Sequence, residues 1–336
     1  MKILFISPSF FSYTELIIEE IRSLGFEVKN IYDRPTKNKL LIAFIRVFPS
    51  VAAPLTNLIY LRKFKNISKG EFDIVFVLQG ESITQRLLLK LRQINPNAKF
   101  IFYIWDSIKN KPKSILNLDL YDYKYTFDPV DAKKYNMIYR PLFSKKYNSD
   151  YVELKYDYCF IGTLHSDRYK ILKKIKIKNP SLNNTYVFLY CQARWLYWFK
   201  RLFTNSLNSC SKSEVSFEPL KAEVVQKIFS QSKVIIDIEH ENQKGLTMRS
   251  IDALMSQKKL ITTNKNIAMH RIYNQKSIHI LNRDNPIIPL NFLDNNLELI
   301  PEEELKPYHL SSWLKDILFN NSCDDILNDE NNSCSL

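Results

Sequence analysis

The chain has 336 residues and only 5 glycines, at positions 25, 70, 80, 162 and 245. Average usage is about 7%. No two of the five are close enough to write a G-x-G-x-x-G fingerprint or a Walker loop, which argues against the dinucleotide-binding proteins and P-loop NTPases that need those turns. Cysteine is equally sparse, with 5 residues and neither a CxxC pair nor a metal-ligand spacing. The odd count suits a reducing cytosol, with Cys159 and Cys191 packed as small hydrophobes. Long apolar runs are missing too. The best stretch, residues 40–60, is broken by Arg46, Pro49 and Pro54, so no membrane span is expected. The opening MKILFISPSF has one lysine and a short apolar run, and reads as a first strand rather than a signal peptide.

What is present is an ordinary globular composition, 45% hydrophobic and 25% charged, on a chain long enough for two domains. The formal net charge is +13, and it is lopsided. Residues 1–150 carry 24 basic against 14 acidic side chains, a surplus of 10; the remainder carries 24 against 21, a surplus of 3. Such an excess calls for an anionic partner. Its densest part is 37–69, where Lys37, Lys39, Arg46, Arg62, Lys63, Lys65 and Lys69 alternate with the apolar stretches LLIAFI and LIYL and meet no acid. That mixture fits a surface resting on anionic lipid. Nucleic acid is not expected, because no RRM, KH or helix-turn-helix pattern accompanies the charge.

Strand and helix signals alternate along the whole chain. Buried apolar strands are expected at 2–8, 26–31, 73–78, 99–105 and 123–127, with helices at 14–24, 82–94 and 128–136. The 82–94 helix has Ser82 or Glu81 near its N-cap. The polar stretch SKKYNSDYVEL at 144–154 marks a boundary, after which strands and helices restart. The WLYWF run at 195–199 reads as the hydrophobic face of a helix. Near-continuous apolar strands separated by helices imply parallel sheets covered on both faces. The expected class is therefore α/β with two Rossmann-like domains, at 1–146 and 152–319, and a disordered Asn/Asp/Ser-rich tail at 320–336.

In such sheets ligands bind beyond the carboxyl ends of the strands. Gly80, Gly162 and Gly245 fall there, whereas Gly25 and Gly70 are turn punctuation. The segment VIIDIEHENQKGLTMRSIDALMSQKKLITTN (234–264) carries most information. A strand runs into a loop, Gly245 lets the backbone turn, and Thr247 opens a helix whose N–H groups and dipole favour a phosphate. Arg249 in the first helical turn opposes that dipole, which fits an anion beside it. Asp252 follows at a spacing that reaches a ribose hydroxyl. Asp237-Ile238-Glu239 imitates a metal-binding DxD, but alternation at a strand end explains it and no His/Cys cluster supports a metal.

Asp252 to Ile261, DALMSQKKLI, resembles without a gap the donor-binding signature E-A-L-A-x-G-K-P-V-I of GT-B glycosyltransferases. Asp stands for the usual Glu, and Met255, Gln257 and Lys259 replace the second Ala, the Gly and the Pro. The earlier acid of the retaining enzymes falls on Lys244, so the resemblance implies an inverting mechanism. Together with YCFIGTLHSDR at 158–168, the stretch is similar to CgeB-like and capsular or O-antigen glycosyltransferases of bacteria; the likeness spans roughly residues 95–270.

The resemblance implies two domains facing each other across a cleft and a nucleotide-sugar donor held by the second. The donor side would draw on Gly162, Thr163, His165, Arg168, Tyr190, Arg194, His240, Gln243, Gly245, Leu246, Thr247, Arg249 and Asp252. Arg168 is the candidate for the pyrophosphate and Asp252 for the ribose. The first domain would hold a lipid-linked or oligosaccharide acceptor and the general base, Asp106 in YIWDS or Glu81 in LQGES, with Trp105 and Tyr103 as a sugar-stacking wall. No cofactor and no metal are expected, since helix dipoles and basic groups stabilise the leaving diphosphate. The implied setting is the cytoplasmic face of a bacterial membrane. The alternative is a GT-B-like protein that binds nucleotide sugars, or scaffolds, without catalysis.

Overall fold

The computed structural model describes residues 1–8, 13–33, 49–144, 152–203, 207–294, 297–320 and 326–327, without the side chains of residues 49 and 50. The chain divides into two compact α/β units. Each is built on a six-stranded parallel sheet.

The first unit runs β1 (Lys2–Ser7), α1 (Tyr13–Ser23), β2 (Glu27–Tyr32), α2 (Pro49–Phe64), β3 (Ile74–Leu78), α3 (Gln85–Ile94), β4 (Lys99–Ile104), β5 (Tyr123–Thr126), α4 (Pro129–Tyr135) and β6 (Ile138–Tyr139). Its strand order is β2-β1-β3-β4-β5-β6. The central strand IVFVL is buried at all five positions, as a strand covered by helices on both faces must be. Helix α1 ends where Gly25 turns into the left-handed region at φ 82, with Gly25 N donating to Arg22 O at 2.9 Å. Helix α3 starts later than the sequence suggests. Thr84 is its N-cap, accepting from Leu87 N at 3.4 Å, because Asp33 takes the N–H groups of both Glu81 and Ser82.

The second unit runs β7 (Tyr156–Thr163), α5 (Arg168–Lys178), β8 (Thr185–Tyr190), α6 (Arg194–Phe203), β9 (Val215–Ser216), α7 (Ala222–Ser230), β10 (Ser232–Asp237), α8 (Met248–Met255), β11 (Lys259–Thr262), β12 (Ile278–Ile280), α9 (Leu290–Asp294) and α10 (Glu302–Leu305). The strand order is β12-β11-β10-β7-β8-β9. Counted within the unit, that is the doubly wound order 3-2-1-4-5-6 read from the other edge, with the reversal between β7 and β10. The Rossmann topology is thus present without a glycine-rich loop.

Three expectations are corrected here. The last helix, α11 (Leu310–Phe319), belongs to the first unit rather than the second. Its Trp313 is fully buried beside Phe76 and Tyr103, and its Asp316 pairs with buried Arg140 at 3.0 Å. Nothing local in the sequence says which sheet such an apolar face will cover. The tail is not wholly loose: Ile326 is buried in the second unit, and its carbonyl accepts from Arg271 N at 3.1 Å. The WLYWF run is helical, but only Tyr197 is buried in α6. Part of the 144–154 boundary, residues 145–151, and much of the basic segment, residues 37–48, lie outside the described residues.

Candidate functional site

The reversal between β7 and β10 places two strand ends side by side, and the side chains there form one charged cluster. Asp237 ends β10 with no exposed surface. Two residues on, Glu239 is again turned inward. Asp237 accepts from Arg249 Nη1 at 2.5 Å and from Ser250 Oγ at 2.7 Å. Glu239 accepts from Arg283 Nη2 at 2.7 Å and makes a short hydrogen bond with Thr263 Oγ1. Arg283 also forks onto both carboxylate oxygens of Asp167 at 2.8 Å. Burial opposes the Arg283 charge, but its bonds and charge pairing with Glu239 and then Asp167 raise its pKa above the ordinary value. The D-x-E motif therefore holds arginines.

Arg168, the first residue of α5, folds back over the strand ends. Its Nε donates to Ile238 O at 2.7 Å, and Nη1 donates to Thr163 O at 3.1 Å and Thr163 Oγ1 at 3.0 Å. Burial and then the neighbouring Arg249 charge pull its pKa down to about 9. Arg249 Nε donates to Ile161 O at 2.6 Å, and its guanidinium lies over the Phe160 ring at 4.6 Å. A Cβ at Gly162 would collide with Arg249 Nη2 and press on Phe160. That glycine is needed for room, since its φ is not in the left-handed region.

Three arginines face three carboxylates, so the cluster is nearly balanced. Lys200 adds one cation, donating to Leu164 O at 2.6 Å. What stays open is hydrogen-bonding capacity. Among the described residues Nη2 of Arg168 and Nη2 of Arg249 have no protein acceptor. His165 and His240 stack beside them, ring centroids 5.4 Å apart. Burial, then Arg168, push the His165 pKa down to about 2, so this ring is neutral. His240 Nδ1 accepts from Asn242 N at 3.2 Å, which leaves the ring hydrogen on Nε2.

Helix α8 begins next to the cluster. Thr247 is the N-cap, its hydroxyl accepting from Ser250 N at 3.2 Å, while the N–H groups of Met248 and Arg249 have no backbone acceptor. The loop before it is stapled by Asn264, whose Nδ2 donates to Lys244 O at 3.1 Å and Gly245 O at 3.0 Å. Leu246 is buried under that loop, and Gln243 is held through its backbone N to His240 O.

Most of the expected donor residues converge here: Gly162, Thr163, His165, Arg168, His240, Gln243, Gly245, Leu246, Thr247 and Arg249. Others stand apart. Tyr190 ends β8, and its carbonyl holds Leu164 N at 2.7 Å, one residue before His165. Arg194 is exposed and packs on the Phe217 ring at 5.8 Å. Asp252 accepts from Ser144 Oγ at 2.5 Å, so it already has a protein partner where the chain enters the unit. Arg249 needs no outside anion to explain its place in the first turn, because Asp237 supplies one. Sequence reasoning missed Asp167, Arg283, Glu239 and Asp237 as members. Only the D-x-E spacing hinted at two of them; Arg283 sits in LNRDN with no spacing that ties it to the rest.

In the first unit the carboxyl ends of β3 and β4 carry the other expected residues. Gln79 and Gly80 both have positive φ, 70 and 63, and Gln79 Oε1 is buried with no hydrogen-bond partner. Asp33, buried, accepts from Glu81 N at 2.5 Å and Ser82 N at 2.8 Å and so fixes this turn. Glu81 itself is exposed and pairs with Lys111 at 2.9 Å. Half-buried Asp106 accepts from Ser107 N at 2.9 Å and Asn110 Nδ2 at 3.0 Å. Tyr103 cannot be a sugar-stacking wall: it has no exposed surface, and its hydroxyl donates to Arg140 O at 2.7 Å. Tyr103 lies within β4, which is buried on both faces from 100 to 104, whereas Trp105 follows the strand's end and is half-buried. Among the described residues no group of three His, Cys, Asp or Glu side chains is arranged to hold a metal, and no helix is long and apolar enough to cross a membrane.

No protein-family model and no curated protein matches the sequence. The fold does have solved counterparts. The chain is similar to Anabaena Alr3699/HepE, solved in complex with UDP and glucose, at TM-score 0.55 and 9% identity over 95% of this chain and 99% of that one. It is similar to a glycosyltransferase from Rickettsia africae at TM-score 0.55 and 14% identity, over 95% and 99% of the two chains. A UDP-GlcNAc 2-epimerase from Methanocaldococcus jannaschii, solved with UDP-GlcNAc and UDP, gives 0.53 and 9% over 96% and 100%. At such identities the likeness defines the fold: two parallel-sheet α/β domains of the GT-B type.

Proposed function

We propose that the protein is a glycosyltransferase that takes a sugar from a nucleotide-diphosphate donor. The observation that carries this reading is the cluster at the β7/β10 reversal. Two guanidinium edges, two imidazoles and the free N–H groups of a helix start converge where the strand order reverses. These are donors for phosphate oxygens, and the Asp and Glu partners hold the arginines in place before a ligand arrives. The GT-B fold and the UDP-bound counterparts support a uridine nucleotide as the first to test.

In this reading Arg168, Arg249 and the start of α8 stabilise the departing diphosphate without a metal. Asp252 serves the ribose in exchange for its Ser144 bond. The first unit supplies the base, Asp106 or Glu81, in an inverting transfer to a lipid-linked or polysaccharide acceptor of the bacterial surface. The CgeB-like and O-antigen signature at 158–168 and 252–261 supports that acceptor class. Binding without catalysis has its own support, because Glu81 and Asp106 are both engaged by neighbouring side chains.

Thermal-shift titration against UDP-, GDP-, dTDP- and CMP-sugars tests the donor. A ligand at one hundred times its Kd stabilises the native state by about 2.7 kcal/mol. Stabilisation lost in Arg168→Ala but kept in Arg194→Ala supports the assignment. No shift with any nucleotide removes it. Product analysis then separates transfer, epimerisation and mere binding.

A further inference from the structure

Helix α6 presents an apolar face that nothing among the described residues covers. Trp195 is 68% exposed, Trp198 49%, Phe199 54%, Leu202 79% and Phe203 74%. At 100° per residue these five fall within one stripe, with Arg194 and Arg201 along one border and Lys200 along the other. Tyr197, on the opposite side, anchors the helix by donating to Cys210 O at 2.7 Å.

The neighbouring helix supplies charge. Helix α5, RYKILKKIKIK, contains no acid and exposes Lys170, Lys173, Lys176 and Lys178, together with Ile177 at 74%. Successive right-handed crossovers from β7 to β8 to β9 put α5 and α6 on the same face of the sheet. Tyr169 and Lys173 of α5 both donate to Ser209 O, next to the Cys210 that anchors α6. A lysine-covered helix and an aromatic helix therefore lie side by side in one layer.

We propose that this α5–α6 face is where the protein rests on an anionic lipid bilayer, with the α6 aromatics in the interface and the α5 lysines over the headgroups. Trp, Phe and Leu on a helix bordered by arginine and lysine is the chemistry of an interfacial helix. The lysines decide against a second copy of this chain, since two such faces would oppose like charges. The contact thus belongs to the second unit rather than to the basic segment 37–69, and it does not depend on the donor reading.

The test uses the full chain with vesicles of phosphatidylcholine alone and with phosphatidylglycerol added. On the mixed vesicles the wild type cosediments and its tryptophan emission shifts to the blue, because Trp195 and Trp198 leave water. The triple variant Phe199→Ser/Leu202→Ser/Phe203→Ser lowers partitioning by about tenfold or more, with unchanged circular dichroism and unchanged nucleotide binding. Lys170→Glu/Lys176→Glu reduces binding to the level seen on neutral vesicles. An unshifted wild-type emission on mixed vesicles overturns the proposal whether or not the variants fold. So does binding that follows Lys63, Lys65 and Lys69 instead, or a wild-type dimer in light scattering that the triple variant abolishes.

Discussion

The two units share one architecture and equip their strand ends in opposite ways. At the β7/β10 reversal of the second unit, buried charges are paired before any ligand is present, and Ser166, between His165 and Asp167, has a positive φ of 49. At the ends of β3 and β4 in the first unit, the charges that matter are on half-buried or exposed carboxylates, and a turn with two consecutive positive φ values carries the strain. The difference teaches how each end can work. Fixed donors suit an anion whose position must not vary; a carboxylate near water suits a proton that must come and go.

Removing the proton acceptor gives the largest expected effect. If the first unit supplies the base, either Asp106→Asn or Glu81→Gln lowers kcat by about 10²–10⁴-fold, with UDP affinity unchanged in calorimetry. Equal turnover in both variants would end the division of labour between the units. Next comes Asp237→Ala. It leaves Arg249 buried without its partner, and breaking a buried pair costs about 3–5 kcal/mol. Urea denaturation should show that loss, with hydrogen exchange locating it in the second unit. Wild-type stability would mean that the pairing is incidental.

Gly162→Ala is expected to be milder, about 1–3 kcal/mol of overpacking, because the clash falls on the far end of Arg249 and on the Phe160 ring. Its signature is weaker nucleotide binding than the change in Tm alone explains. A variant with intact affinity would show that Arg249 Nη2 does not meet the ligand.

The smallest effect is in pH. All five histidines, at 165, 240, 270, 279 and 309, lie in the second unit. Burial lowers the pKa of His270 to about 3 and that of His165 to about 2, and it lowers that of His279. Below their ordinary values the unfolded chain takes up protons that the native state refuses, so stability falls as pH drops from about 6.5 towards 3. For His270 alone the loss is about 1 kcal/mol between pH 6.5 and 5.5. Hydrogen exchange at the two pH values should weaken protection in the second unit and spare the first over that interval.

Much of the fold was legible because it is written locally. Strand signals at 73–78 and 99–105, the Gly25 turn and the Thr247 helix start all depend on neighbours in sequence. The site was half legible for the same reason. Gly162, Arg168 and Thr247 follow strands or open helices, so their place at a strand end can be read. Their partners cannot. Arg283 reaches Asp167 across 116 residues and Glu239 across 44, and no local pattern encodes such pairing.

The glycine shortage illustrates the division well. By itself it ruled out a glycine-rich phosphate loop and pointed to single glycines at strand ends. Why Gly162 is there was decided by tertiary structure, through the guanidinium of a residue 87 positions later. Apolar spacing likewise identified a helix at 195–199, while only the packed unit decided that its aromatic face would stay exposed among the described residues. Periodicity reports that a face is apolar. What covers it depends on the rest of the chain.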